Sequence, residues 1–232
     1  MNRIPENLQV LRRRIADACA AAKRAPETVS LLAVSKHFDA DTVRQAMAAG
    51  LTDFGENYLQ EALDKIAALP RAGLHWHFIG PIQSNKTRGL AEHFDWVQSV
   101  DRLKIAQRLS EQRPAHLPPL NVCVQVNISG EDSKSGCSPA ETLDLCRAIA
   151  ALPRLRLRGL MAIPAPVAAG DDAHAPFRAL RELFAQAHAT LGGDAGFDTL
   201  SAGMSDDLEA AIAEGSTLVR VGTALFGSRL AR

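Results

Sequence analysis

Short runs of Val, Ile, Leu and Phe recur along the chain, and longer stretches with the apolar spacing of helices separate them. This alternation is typical of successive strand–helix units around a parallel sheet. Eight strands are predicted, within 30–36, 53–57, 75–80, 95–100, 121–128, 157–163, 198–203 and 218–223. Eight strands with helices between them favour a closed barrel over an open doubly wound sheet.

The stretches between the predicted strands carry helix signals. Several begin with Ser or Asp, which commonly cap helix N-termini, and several end at Gly or before Pro. Helices are expected within 39–50, 59–69, 86–94, 101–112, 138–152, 174–191 and 205–215, and an amphipathic N-terminal helix within 1–25. The predicted fold class is therefore α/β, a single (β/α)8 barrel of the TIM type with an extra N-terminal helix.

The length of the chain fits one such barrel. Its 232 residues, 47% of them apolar, can bury one core of the size found in single-domain barrels. Only residues 224–232 follow the eighth predicted strand, so we expect residues 1–232 to form one domain without a C-terminal β domain. Residues 164–175 are expected to form a mobile loop at the barrel mouth or surface.

The charges of the chain balance, with 26 Lys and Arg against 26 Asp and Glu. No global field attracts nucleic acid or an anionic membrane, so neither partner is expected. The N-terminus lacks the apolar region of a signal peptide, and no stretch approaches the roughly 18 apolar residues of a membrane span. We expect a cytoplasmic protein whose four cysteines, without a CxxC pair, are buried or inert.

In barrels of this class, functional groups gather at the carboxyl ends of the strands. Lys36 ends the first predicted strand, after an apolar run. Apolar surroundings favour the neutral, nucleophilic form of an amine, which can form an imine. The other interpretation is a lysine whose side chain reaches from the strand end to solvent.

Two glycine-containing loops close the last two predicted strands, at 201–207 and 220–223. Barrels commonly bind phosphate at the loops after strands seven and eight, so the two loops indicate a phosphate cradle. Alternatively, the glycines only form tight turns and Ser205 caps the next helix. Arg220 lies in an apolar strand, where it needs a polar partner. Facing the mouth, it could donate to a pyridine nitrogen and keep that nitrogen unprotonated.

His75 and His77 share one strand face, but the sequence offers no convincing third ligand, so no metal site is expected. His77 is either an ordinary strand-face histidine or part of a ligand pocket. Lys86, at the start of a predicted helix, either recognises an anion or partner or is a solvated lysine.

Seven segments together resemble the pyridoxal 5′-phosphate (PLP) homeostasis protein family, in its order and spacing and over nearly the whole chain. They are AVSK at 33–36, FGENY at 54–58, HFIGPIQSNK at 77–86, KSG at 134–136, RGLMAI at 158–163, GMSDD at 203–207 and VRVGTALFG at 219–227. The chain departs from the family pattern at Ala202, where Met is frequent, and at 37–39.

The resemblance implies a PLP-binding barrel similar to the N-terminal domain of alanine racemase. The cofactor-binding residues it implies are Lys36 as the Schiff-base lysine, Asn57, His77 and Met161 at the ring, Arg220 at the pyridine nitrogen, and Ser201, Met204, Ser205, Gly222 and Thr223 at the phosphate.

Two functions are compatible with this site: a non-catalytic carrier that stores or delivers PLP, and an amino-acid racemase. A two-base racemase of this fold needs a second base, usually a tyrosine from a partner's β domain. The only tyrosine here is Tyr58, and nothing in the sequence marks it as a base. We therefore expect no catalytic residues and a role in intracellular PLP homeostasis, including control of free PLP and the amino-acid metabolism linked to it.

The expected partners are PLP and apo PLP-dependent enzymes, and the protein is expected to be a monomer. A phosphosugar enzyme with Lys36 as an aldolase-like amine is a third reading, for which the sequence shows no acid or base partner. The sequence leaves open whether Lys86 or Lys134 also binds PLP.

Overall fold

The computed structural model of the chain describes residues 3–131, 135–166, 168 and 170–227. Eight parallel strands form a closed barrel in which each strand pairs with the next and the last pairs with the first. The strands are β1 (Ser30–Val34), β2 (Asp53–Glu56), β3 (His75–Phe78), β4 (Trp96–Val100), β5 (Leu120–Gln125), β6 (Leu155–Met161), β7 (Thr199–Ser201) and β8 (Leu218–Val221). The predicted barrel is confirmed.

Helices surround the barrel, each predicted helical stretch containing one. They are α1 (Ile4–Ala21), α2 (Ala40–Ala48), α3 (Leu59–Ala68), α4 (Thr87–His93), α5 (Leu103–Gln112), α6 (Pro139–Ala150), α7 (Ala175–Thr190), α8 (Leu208–Ala213) and the short α9 (Thr223–Phe226). Helix α1 is the extra N-terminal helix. Its buried residues recur every three or four positions and so form one face, which packs against α8 and α9.

Several strands end earlier than the sequence predicts. Strand β1 ends at Val34 rather than at Lys36, and the amide of Ser35 still bonds the carbonyl of Gly55 at 3.0 Å. The chain then turns sharply, because His37 adopts the left-handed conformation with φ of 67°. Lys36 therefore stands in the turn that leaves the barrel. The predicted loop 164–175 lies between β6 and α7, with residues 167 and 169 outside the described residues.

Alternate residues of each strand face opposite sides of the barrel wall. The outward residues form the main core, between the strands and the helices. Inside the barrel, one small apolar cluster consists of Leu32, Val34, Ile79 and Leu218. Buried polar side chains from β3, β4, β7 and β8 share this interior, namely His77, Gln98, Ser201 and Arg220.

All four cysteines are unpaired and buried, as expected from the sequence. Burial raises the pKa values of Cys123 and Cys146 to about 12, so both thiols stay protonated near neutral pH. Among the described residues, no group of three His, Cys, Asp or Glu side chains is placed to hold a metal ion. No helix in the described ranges has both the length and the apolar character needed to cross a bilayer.

Candidate functional site

A cavity of about 560 Å³ opens at the carboxyl ends of the strands. It is bounded by residues at or just after the ends of β1, β2, β3, β6, β7 and β8 and by one residue of α1. Predicted site residues that line it are Lys36, Asn57, Met204, Ser205, Arg220, Gly222 and Thr223. Lining residues that the sequence analysis did not identify are Arg14, Val34, Ile79, Ile163, Asp206 and Ala224. The cavity combines an amine, two guanidinium groups, a carboxylate and hydroxyl groups with an apolar wall.

Asn57 reaches the cavity from the end of β2, and its position depends on Gly80. A Cβ atom at residue 80 would lie 2.3 Å from the carbonyl oxygen of Asn57, so only glycine allows this close approach. The Oδ1 atom of Asn57 is buried and has no hydrogen-bond partner among the residues that the structure describes. Because an unpaired buried acceptor is costly, a ligand with a hydroxyl or other donor would fit at this point.

The loop after β7 and the turn after β8 form one end of the cavity. Gly203 turns the chain with φ of 96°, and the carboxylate of Asp207 then accepts from the amide of Met204 at 2.6 Å. Helix α9 begins at Thr223. The amides of Leu225 and Phe226 bond the carbonyl of Gly222. The amides of Thr223 and Ala224, at the start of the helix, could bind an anion together with the hydroxyls of Ser205 and Thr223.

Arg14 ties α1 to this end of the cavity. Its Nη2 atom donates to the carbonyl of Ser205 at 2.9 Å, and its guanidinium forms two hydrogen bonds with Glu209, at 2.7 and 2.9 Å. Hydrogen bonding to Glu209 is the main cause that raises the pKa of Arg14. Helix α1 therefore holds the loop 201–207, which the sequence analysis predicts to bind a phosphate.

Arg220 reaches the same cavity from inside the barrel. It donates to the hydroxyl of Ser201 at 2.7 Å and to the carbonyl of Ala162 at 2.8 Å. Burial lowers its pKa to about 10, which still leaves the guanidinium charged at neutral pH. Ser201 donates in turn to Gln98 Oε1 at 2.6 Å, and Gln98 Nε2 lies 2.9 Å from His77 Nδ1. A chain of hydrogen bonds thus runs from the mouth into the barrel interior.

Three predicted site residues do not line the cavity. Ser201 and Met161 are fully buried beneath the cavity, where they pair across the neighbouring strands β7 and β6. Ser201 is linked to the cavity through its hydrogen bond with Arg220. His77 borders a second cavity of about 280 Å³, at the amino ends of the strands, where it stacks on Trp96. The structure therefore places His77 outside the mouth cavity, deeper in the barrel. Of the other lysines considered, Lys86 is exposed at the start of α4, and Lys134 lies outside the described residues.

The buried position of His77 predicts a pH dependence of stability. Burial lowers the pKa of His77 below its ordinary value of 6.5, although Asp53 at 3.3 Å opposes this shift. As the pH falls through 6.5, the unfolded chain gains a proton that the folded chain does not, so stability decreases. We expect the free energy of unfolding to fall by up to about 1.4 kcal/mol per pH unit below that point from this residue.

Urea denaturation between pH 7.5 and 5 would measure this slope. His77→Gln should flatten it, whereas substitution of the exposed His116 by Gln should not. Equal slopes for the His77 variant and the parent protein would contradict the assignment.

Comparisons with known proteins bear on the cavity. The family model described as alanine racemase, N-terminal domain, matches residues 2–230. The pyridoxal phosphate homeostasis protein of Pseudomonas aeruginosa is 65% identical over 229 residues, which cover 99% of this chain and 97% of the relative. The protein of the same name from Escherichia coli K12 is 53% identical over 232 residues, covering 99% of this chain and 98% of the relative.

A solved structure is also similar. PipY of Synechococcus elongatus, with PLP bound, superposes with a TM-score of 0.76 and 38% identity, over 92% of this chain and 100% of PipY. The chain therefore belongs to the pyridoxal phosphate homeostasis protein family, within the larger family of alanine racemase N-terminal domains.

Proposed function

We propose that this protein is a non-catalytic PLP-binding protein, which holds the cofactor as a Schiff base on Lys36 and acts in intracellular PLP homeostasis. The observation that carries the proposal is the shared cavity: Lys36, Arg220 and Asn57 line it together, and Oδ1 of Asn57 has no hydrogen-bond partner among the described residues. An aldehyde needs an amine, a pyridine nitrogen needs a donor, and a ring hydroxyl needs an acceptor. The described lining offers one group for each.

The phosphate of the cofactor would bind at the end lined by Ser205, Gly222 and Thr223, with hydroxyl and backbone N–H groups as the donors. The amine nitrogen of Lys36 would replace the aldehyde oxygen, with release of one water molecule. The reaction is reversible, because water or another amine can displace the lysine. Bound PLP supplies a reactive aldehyde and an electron-accepting ring.

Two features favour a carrier over a racemase. Arg220 keeps its own proton and can only donate, so the pyridine nitrogen would remain unprotonated and the ring would be a weak electron acceptor. Tyr58, the only tyrosine of the chain, is 53% exposed, and its ring packs 5.1 Å from that of His37. It is not among the described residues that line the cavity, so it does not supply a second base there.

The proposal includes the partners of the protein. A reversible Schiff base allows transfer of PLP to apo PLP-dependent enzymes, and we propose that a cytoplasmic monomer does this. Control of free PLP, and of the amino-acid metabolism that depends on it, would follow from the same exchange.

Visible absorption of the purified protein, before and after borohydride reduction, tests the cofactor assignment. We expect a yellow protein whose absorption band reduction removes, with the reduced adduct mapped to Lys36 by peptide mass spectrometry. A colourless protein that fails to take up added PLP would overturn PLP binding. An adduct mainly on Lys86 or Lys134 would overturn the site. Conversion of L-alanine to D-alanine faster than with free PLP would overturn the non-catalytic role.

A further inference from the structure

A buried group of charged residues lies behind Lys36, on the outer side of the barrel wall. Glu56, the last residue of β2, and Lys65 of α3 are both almost fully buried. Lys65 Nζ donates to Glu56 Oε1 and to Glu61 Oε1, each at 2.7 Å. We call Glu56, Glu61 and Lys65 the rear cluster. None of the three lines the mouth cavity, so none is explained by direct contact with a ligand there.

The rear cluster binds the backbone immediately before Lys36. Lys65 Nζ donates to the carbonyl of Ser35 at 2.8 Å. The hydroxyl of Ser35 donates to Glu56 Oε1 at 2.5 Å. Ser35 faces outward toward α3, so Lys36, the next residue, faces inward toward the cavity. Ser35, the residue that precedes the lysine, is therefore held both at its carbonyl and at its side chain.

The same cluster binds the backbone immediately after Lys36. The amide of His37 donates to Glu61 Oε1, the oxygen that also accepts from Lys65. His37 has φ of 67°, a conformation that a residue with a side chain adopts only when its surroundings hold it there. Glu61 supplies such a restraint. Both neighbours of Lys36 are thus tied to one connected group of side chains.

The composition of the cluster does not look optimised for stability. Two carboxylates share one ammonium group, Glu56 Oε2 has no hydrogen-bond partner in the described part of the chain, and burial raises the pKa of Glu56. Apolar residues of similar volume commonly replace buried ion pairs without loss of stability. Apolar residues at these positions would not supply an acceptor for the amide of His37 or a donor to the carbonyl of Ser35.

We propose that Glu56, Glu61 and Lys65 are positioning residues, which hold the peptide units on both sides of Lys36 and so direct its amine into the mouth cavity. This inference rests on the proposed function, since it assigns the cluster to the Schiff-base lysine. The cluster acts on the rate and extent of Schiff-base formation and leaves the phosphate end of the cavity unchanged.

Glu61→Ala is the decisive variant, because Glu61 is partly exposed and its loss leaves the Glu56–Lys65 pair in place. Schiff-base formation with added PLP, followed by stopped-flow absorbance, should slow about 10-fold or more, since small misplacements of a reacting group have effects of this size. Pyridoxine 5′-phosphate, which lacks the aldehyde, should bind with an unchanged Kd. Glu61→Gln keeps an acceptor oxygen and should restore the rate.

Two further variants separate positioning from general destabilisation. Lys65→Met removes the bonds from Lys65 to Glu56, Glu61 and Ser35. If this variant folds, it should slow Schiff-base formation at least as much as Glu61→Ala does. Glu214→Ala removes a nearly buried carboxylate that pairs with Arg181 at the end of α8, and should lower the melting temperature without slowing the reaction.

The outcomes distinguish this inference from the proposed function. Unchanged rates in Glu61→Ala, or equal slowing in Glu61→Gln, would overturn the positioning role while leaving PLP binding intact. A parent protein that forms no Schiff base at all would overturn the proposed function itself.

Discussion

Lys36→Ala is expected to abolish covalent uptake of PLP, with loss of the visible band and of the borohydride adduct. Lys36 is the only lysine among the described residues that line the mouth cavity, so no amine there could replace it. The free energy of unfolding should change by less than about 1 kcal/mol, because the side chain is only partly buried. Absorption spectra and urea denaturation of the purified variant measure both quantities.

Matched lysine variants make this result specific. Lys104→Ala, on the exposed side of α5, and Lys86→Ala should both retain the band and the adduct. A Lys36 variant that keeps the full band, or a Lys86 variant that loses it, would contradict the assignment of the Schiff base.

Arg220→Leu should weaken PLP binding by about 10- to 100-fold, because hydrogen bonds from charged groups contribute about 1.5–3 kcal/mol. The substitution also leaves the buried carbonyl of Ala162 without its donor, which should lower the free energy of unfolding by about 1–3 kcal/mol. Binding is measured by titration with PLP and with pyridoxine 5′-phosphate, and stability by urea denaturation. Both ligands should lose affinity, since both carry the ring nitrogen.

Arg158 provides the control for this substitution. It lies at the opposite end of the barrel, where it forms a bidentate pair with Asp198 and covers the ring of Trp96 at 4.6 Å. Arg158→Leu should destabilise the protein without changing its affinity for PLP. If Arg220→Leu bound both ligands normally, the placement of Arg220 at the pyridine nitrogen would be incorrect.

The alternation of apolar runs and helical stretches was sufficient to predict the barrel, because each strand and helix carries its own local signal. The ends of the strands were harder to predict from the sequence. Lys36 continues the inward pattern of Leu32 and Val34, yet β1 ends before it. The turn depends on the left-handed conformation of His37 and on its bond to Glu61, which no local pattern reveals.

The predicted site residues that line the cavity lie at or after strand ends, where the sequence pattern is informative. Residues whose position depends on their depth in the barrel, or on contacts with distant parts of the chain, were harder to place. His77 shares the inward face of β3, but its depth depends on the stagger of neighbouring strands, which the sequence does not specify. Arg14 meets the phosphate end through a contact that spans 191 positions. Lys65 lies in the predicted helix 59–69, and its burial against Glu56 arises only when α3 packs on the end of β2.

A protein that stores an aldehyde must also protect it from its own nucleophiles. The four thiols are buried, and burial raises the pKa of each, so little thiolate forms at neutral pH. Lys65, the amine buried behind the Schiff-base lysine, has its three donors directed to Ser35, Glu56 and Glu61. Along the described wall of the cavity, a bound aldehyde would meet a single amine, that of Lys36. With the proposed function, the fold would give chemoselectivity, since a cargo able to modify many proteins would be held by one reversible bond.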